Sequence, residues 1–489
     1  MNLPTIIQGG MGVAISNWRL AKAVSQLGQL GVVSGTGVSR VLASRLADGD
    51  LVGHVRRALE QFPIPEPIQH ILNRYYVPGG KASDEPYKSP PAYTIQPPKL
   101  LDQLTAIANF VEVFLAKEGH SGPVGINLLE KVQMPNLASL YGALLAGVDV
   151  VLMGAGIPTQ IAGILDKLAH HRPVSYRLDV LGAGPDDDQR IHFDPESIFP
   201  GIARLVGQLK RPKFLPIISS VVLAQALLKR SEGQIDGFVI EGPTAGGHNA
   251  PPRGALKLNE KGEPVYGEKD AVDLEKMKQL GLPFWLAGGY GNPDQVQNAL
   301  EAGAAGVQVG TAFALCEESG LAAVLKTRLV RQALDEETQV FTSPTASPTG
   351  FPFKIALVPG TLSDKEACDA RPRFCDLGFL RSLFKKEDGS LGYRCPAEPV
   401  DDYVKKGGKE ADTVGRACLC NNLVATAGFP QRRKDGYVEQ PLVTSGDDLA
   451  SIVQFLKIAE LSFAPRRWGS IMRRCMEGCW GWRKREWRS

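Results

Sequence analysis

Residues 237–249 read GFVIEGPTAGGHN, and the fold follows from how this stretch divides. Phe238, Val239, Ile240 and Glu241 form a short, mostly apolar run between glycines, the pattern of a buried strand. Gly242-Pro243-Thr244-Ala245-Gly246-Gly247 cannot hold regular structure. His248 ends the loop. A rigid strand that delivers a Gly-rich loop and one titratable side chain is a common way to build a site. Taken alone, the same residues are also a strand, a turn and a surface histidine.

The neighbouring stretches repeat the unit. Residues 3–12 (LPTIIQGGMG) give a strand and a Gly-rich loop, and Ser16-Asn17 offers an N-cap for a helix over 21–29. Further strands are predicted at 30–35, 124–129, 148–154, 174–180, 214–220, 238–241, 283–289 and 306–311. Helices are predicted at 100–118, 137–146, 160–169, 201–209, 222–229, 274–280 and 293–302. Alternation of this kind implies parallel strands joined by helical crossovers. Nine strand candidates are one more than a (β/α)8 barrel needs. The stretch 174–180 is the expected extra, because the acidic residues beside it (185–188) break the repeat. The fold class is therefore α/β, a (β/α)8 TIM barrel with insertions. An open doubly wound sheet is the rival, and the regular alternation with site loops at many strand ends favours the barrel.

The barrel is expected to occupy residues 1–340, with a Pro-rich insertion or lid at 61–99 and a second insertion at 180–210. Residues 341–464 read as an irregular, Cys-containing C-terminal extension that packs on the barrel, with a helix at 446–461. The basic, Trp-rich tail 465–489 reads as a disordered or non-native extension, with a membrane-surface helix as the alternative.

Bulk properties exclude several classes. With 55 basic and 52 acidic residues, the net charge of +3 gives no electrostatic case for nucleic acid. No apolar run approaches the roughly 20 residues of a membrane span. The N-terminus lacks a basic start followed by an apolar segment, so a cytoplasmic location and reduced cysteines are expected.

In a parallel barrel the strand C-termini converge on one mouth. Those ends bring together Gln8, Gly9, Gly10, Met11, Asn127, Ser219, Glu241, Gly246, Gly247, His248, Gly288, Gly289, Gly310 and Thr311. Residues 287–292 (AGGYGN) follow a strand and open a helix, so their N–H groups can face an anion. Gly310-Thr311 offers the same after the last strand, where barrels commonly hold phosphate. The mouth has no carboxylate pair, no HExxH and no Gly-Lys-Ser/Thr loop. A phosphorylated cofactor whose ring does the chemistry is the economical ligand. His248 is then the natural acid/base group.

Four motifs in order, PTIIQGGMG, the GPTAGGH loop, LAGGYG and AAGVQVGTAF, resemble the FMN-dependent nitronate monooxygenases, also called 2-nitropropane dioxygenases. The related flavin enoyl-acyl-carrier-protein reductases share the pattern. The resemblance covers residues 3–325. It implies FMN, with phosphate on Gly288, Gly289, Gly310 and Thr311, the ring along Gln8, Gly9, Gly10 and Met11, and Asn127 at a ring edge. Ser219, Glu241, Gly246 and Gly247 complete the implied cofactor contacts. His248 is the implied catalytic base or substrate-orienting residue. The implied reaction is oxidation of an alkyl nitronate with O2. The alternative is an NAD(P)H-dependent FMN enoyl reductase acting on enoyl thioesters, and a catalytically silent flavin-barrel module is the third reading. Pro243-Thr244 departs from many relatives and bears on substrate choice. A small-molecule partner is expected, and the oligomeric state stays open.

Cys368, Cys375, Cys395, Cys418 and Cys420 could supply thiolates to zinc or a cluster. The C-x2-C pairs of zinc ribbons are absent. These cysteines are read as buried free thiols, and no metal is expected.

Overall fold

The computed structural model describes residues 3–184 and 186–455. Eight parallel strands form the central sheet: β1 (Ile6–Gln8), β2 (Gly31–Ser34), β3 (Val124–Leu129), β4 (Val150–Gly154), β5 (Lys213–Ile218), β6 (Phe238–Glu241), β7 (Phe284–Ala287) and β8 (Gly306–Val309). From β2 to β8 each strand pairs with the next, and β8 pairs back onto β1. Leu30 closes the remaining seam. Its N–H donates to Ile6 O at 3.1 Å, and its carbonyl accepts from Gln8 N–H at 2.9 Å. The eight-stranded barrel expected from the alternation is what forms.

The strands are mostly apolar because each is buried on both faces. Side chains alternate across a strand. Ile7, Val32, Leu152, Leu215, Val239 and Trp285 fill the barrel interior. Their neighbours Ile6, Val33, Val151, Phe214, Phe238 and Phe284 turn outward onto the helices. The stretch at 174–180 is indeed outside the barrel. Val174–Arg177 pairs antiparallel with Arg190–Phe193. Val180–Leu181 pairs instead with Ser382–Lys385, which ties the 180–210 region to the C-terminal extension.

Helices Lys99–Lys117 and Asn136–Leu145 pack side by side on the outside. Helix Trp18–Gln26 starts at Asn17, whose side chain accepts from Leu20 N–H as its N-cap.

The structure adds elements that the sequence reading left out. Helices Val38–Ala47 and His54–Leu59 follow β2, and helix Ala323–Leu334 follows the last strand. Within the Pro-rich segment 61–99 lies helix Glu66–Tyr75, entered through Pro65 and Pro67, where proline is compatible with a helix start. Tyr87 of this segment bonds Asp48 and Gln431 on the flank of the barrel.

The extension is more regular than expected. It holds the antiparallel pair Val340–Ser343 with Phe353–Ala356, the hairpin Ser382–Lys385 with Leu391–Arg394, and helices Lys365–Ala370, Val400–Lys405 and Leu419–Thr426. These pieces are too short for periodicity to mark them. Where a helix was expected at 446–461, a 3-10 turn occupies Asp447–Ile452. The remainder of that stretch from residue 456, and the tail 465–489, lie outside the described residues. Among the described residues no helix is long and apolar enough to cross a membrane.

One close approach sets the helix layer. A Cβ on Gly142 would lie 1.8 Å from the carbonyl oxygen of Ala106 on the facing helix. Gly142→Ala is therefore expected to force the two helices apart and lower stability by about 1–3 kcal/mol. A urea midpoint equal to that of the parent protein would show that the pair yields without cost.

Candidate active site at the barrel mouth

A cavity of about 220 Å3 opens at the C-terminal ends of β1 and of β3 to β8. Its far wall comes from the extension, through Phe353, Leu423, Thr426, residues 443–446, Asp448 and Leu449. None of residues 61–99 lines it, so the covering wall comes from the other end of the chain.

The His248 loop is locked to that wall. Gly247 N–H donates to Thr444 Oγ1 at 2.8 Å, Lys354 N–H to Gly247 O at 2.9 Å, and Asn249 N–H to Pro352 O at 2.9 Å. His248 thus forms a bridge with Phe353, whose ring stands edge-on to the imidazole with centroids 4.9 Å apart. Ser347 Oγ lies 2.7 Å from His248 Nε2 and 2.8 Å from Thr349 Oγ1, so a hydroxyl pair orients the ring. Aromatic packing withdraws the imidazole from water, and burial lowers its pKa to about 4. It is a neutral base at neutral pH.

Glu241, at the end of β6, lines the same cavity. Burial raises its pKa to about 8, so it stays a neutral acid over most of the same range. Both residues keep partial exposure, and Glu241 also borders the adjoining pocket of Ser219.

Twelve of the fourteen residues named from the strand ends line the cavity together, His248 among them. Gln8 and Ser219 do not. Gln8 is fully buried and bonds within the frame: its Nε2 donates to Ser16 Oγ at 2.8 Å and its Oε1 accepts from Val32 N–H at 3.0 Å. Ser219 faces an adjoining pocket, where its carbonyl accepts from Arg253.

One end of the cavity presents unpaired acceptors that fit a heteroaromatic group with N–H donors. Asn127 donates through Nδ2 to Gly10 O at 3.1 Å, while its Oδ1 is buried without a partner. Gln308 Oε1 is likewise buried and unpartnered, and both residues line the cavity. Gly10 permits the approach, since a Cβ there would meet Asn127 Cβ at 2.1 Å. Gln308 was absent from the sequence reading, although a glutamine inside the apolar run GVQVG is a visible signal.

At the other end, Gly288 and Gly289 adopt φ of +99° and +79°, and a Cβ on Gly288 would lie 2.7 Å from Thr244 Oγ1. Thr311 Oγ1 donates to Asp448 Oδ1 at 2.7 Å and accepts from Gly446 N–H at 3.2 Å. Burial raises the Asp448 carboxyl above its ordinary range. Asp448 and Ser347 carried no sequence signal, because both reach the mouth only through the fold of the extension.

Residues 208–348 match the family model described as nitronate monooxygenase. A probable nitronate monooxygenase of Bacillus subtilis is 35% identical over 137 residues, which are 28% of this chain and 37% of that protein. A nitronate monooxygenase of Pseudomonas aeruginosa is 31% identical over 147 residues, 29% of this chain and 40% of that protein. The matches thus span about two fifths of these relatives' lengths. Among solved structures, FabK from Thermotoga maritima superposes with a TM-score of 0.45 at 15% identity, over 98% of this chain and 94% of that one. The matched segment carries β6, the His248 loop and both glycine loops of the mouth.

Proposed function

We propose that the protein is an FMN-dependent oxidoreductase that oxidises alkyl nitronates with O2. The observation that carries this reading is a neutral imidazole and unpartnered ring-edge acceptors in one cavity, inside the segment matched to that family.

In this reading Gly9, Gly10, Met11, Asn127 and Gln308 border the flavin ring. Gly288, Gly289, Gly310 and Thr311 hold the phosphate, and Thr311 turns its hydroxyl from Asp448 to do so. A bound flavin would supply a two-electron acceptor whose reduced form is reoxidised by dioxygen. The chain's own residues do the rest. The Phe353 face and the extension wall exclude water from the imidazole. Ser347 fixes Nε2, so proton exchange with substrate falls to Nδ1 of His248. Glu241 remains protonated and adds no charge against an anionic substrate. NAD(P)H as electron donor is the competing reading.

The decisive test is anaerobic absorbance of the purified protein. Flavin bleaching by an alkyl nitronate, with none by NADH or NADPH, is the expected result. Bleaching by a nicotinamide alone would move the assignment to the reductase, and a colourless protein that takes up no FMN would end both readings. His248→Ala is expected to retain flavin and lose about 100- to 10,000-fold in turnover. Unchanged turnover would take His248 out of the mechanism.

Glu241 adds a pH signature to stability. Its folded pKa of about 8 lies above the ordinary 4.5, so the native state holds a proton that the unfolded chain releases. That contribution is fully present below about pH 4.5 and is lost as pH rises through 8. Glu241→Gln is expected to flatten the fall in urea midpoint between those limits. A slope identical to that of the parent protein would show that the side chain is not a buried acid.

A further inference from the structure

The AGGYG loop after β7 and Gly310-Thr311 after β8 flank one end of the cavity, the place where barrels of this kind commonly hold phosphate. In this chain an acidic side chain stands between the two loops. Asp448 lines the cavity from the turn Asp447–Ile452 of the extension. Its Oδ1 accepts from Thr311 Oγ1 at 2.7 Å, at the end of β8. On the β7 side, a Cβ on Gly291 would lie 3.1 Å from its Oδ2. The carboxyl therefore spans the gap between the loops. The backbone around it is fixed in place. Asp447 N–H donates to Thr244 O at 3.0 Å, and Gly446 N–H to Thr311 Oγ1 at 3.2 Å. A Cβ on Gly446 would meet Asp448 Oδ1 at 2.8 Å and Thr311 Oγ1 at 2.9 Å, so only glycine lets the chain pass this close.

No cation offsets this acid. Lys354 pairs with the neighbouring Asp447 at 2.7 Å, and among the described residues no Lys, Arg or His pairs with Asp448. Burial raises the Asp448 carboxyl, and the Thr311 hydrogen bond opposes that by favouring the charged form. A hydroxyl has one proton to give. Thr311 gives its proton to Asp448 and receives the N–H of Gly446. A phosphate oxygen is also an acceptor and needs that same proton. A second negative charge beside the carboxylate is unfavourable as well, and more so where water is partly excluded.

We infer that Asp448 is a specificity-determining residue of the cofactor seat: its carboxylate stands where a phosphate group would bind, and the phosphate must displace it from Thr311. The inference rests on the flavin reading of the mouth. Asp448 belongs to the extension, outside the residues 208–348 that match the family model. The extension thus sets a cost on the phosphate that the two barrel loops alone do not. A ligand with the same ring and no phosphate leaves Asp448 on Thr311 and escapes that cost.

The test is flavin titration of the full chain, freed of bound flavin, at constant pH and ionic strength and followed by flavin fluorescence. Asp448→Ala and Asp448→Asn are expected to bind FMN about 10- to 100-fold more tightly than the parent protein, the range of one hydrogen bond to a charged group. Riboflavin carries the ring without the phosphate, and its affinity should be the same in all three proteins. Where neither variant folds, the parent decides through the ratio of the two ligands. FMN should bind no more than about tenfold more tightly than riboflavin, and a larger ratio would show that phosphate enters its seat without cost. FMN affinity that is unchanged or weaker in the variants overturns the inference and leaves the flavin reading standing. An equal gain for FMN and riboflavin overturns it too, since Asp448 would then act on the ring. A chain that takes up neither flavin, with or without Asp448, overturns both.

Discussion

The structure depends on burying every barrel strand on both faces at once. That demand fixes the composition of the strands and leaves polar side chains only where they serve the frame or the mouth. Gln8 shows the first case. It ends β1 with a fully buried amide, bonds Ser16 and accepts from Val32 on β2, and so reinforces the seam that Leu30 closes. Gln308 shows the second. It sits in the strand β8 beside β1, but its Oε1 has no protein partner and borders the cavity. Two glutamines in neighbouring strands thus have opposite roles, decided by whether the protein satisfies their oxygens.

The mouth is a joint product of the barrel and the extension. The barrel supplies the glycine loops, Asn127, Glu241 and His248. The extension supplies what makes His248 unusual: the Phe353 face, the Ser347 hydroxyl and the backbone bonds that hold the loop on either side of it. A Gly-rich loop with these anchors is a fixed wall, not a mobile strap. Gly246 therefore matters for close approach, and Gly247 for its φ of +84°. A Cβ on Gly246 would meet Gly446 N at 2.8 Å, within the segment that also reaches Thr311.

Much of this was legible in the sequence because it obeys simple periodicities. Continuous apolar runs, six of them ending in glycine, marked the eight barrel strands, and Asn17 marked its helix start. The surplus strand at 174–180 was recognisable from the acidic break beside it, since a residue run such as 185–188 cannot enter a barrel wall. What stayed hidden depends on contacts between distant segments. No local pattern says that Ser347 meets His248, that Asp448 meets Thr311, or that Cys375, Cys395, Cys418 and Cys420 share a void. The role first read into the Pro-rich segment 61–99 shows the same limit: composition marked an excursion, but only the fold shows that Phe353, Leu423, Thr426 and Val443 border the mouth.

The electrostatics of the mouth bear on the kind of substrate it takes. Desolvation alone pushes the Glu241 pKa up and the His248 pKa down. Both groups are consequently uncharged between about pH 4 and 8. With Glu241 and His248 both uncharged, neither side chain repels an entering anion, and Asp448 is the remaining carboxyl of the wall. Once bound, that anion would raise the proton affinity of His248, because a nearby negative charge favours the imidazolium. A base that is neutral when the cavity is empty and strengthened by a bound anion suits a ligand that brings negative charge to the imidazole.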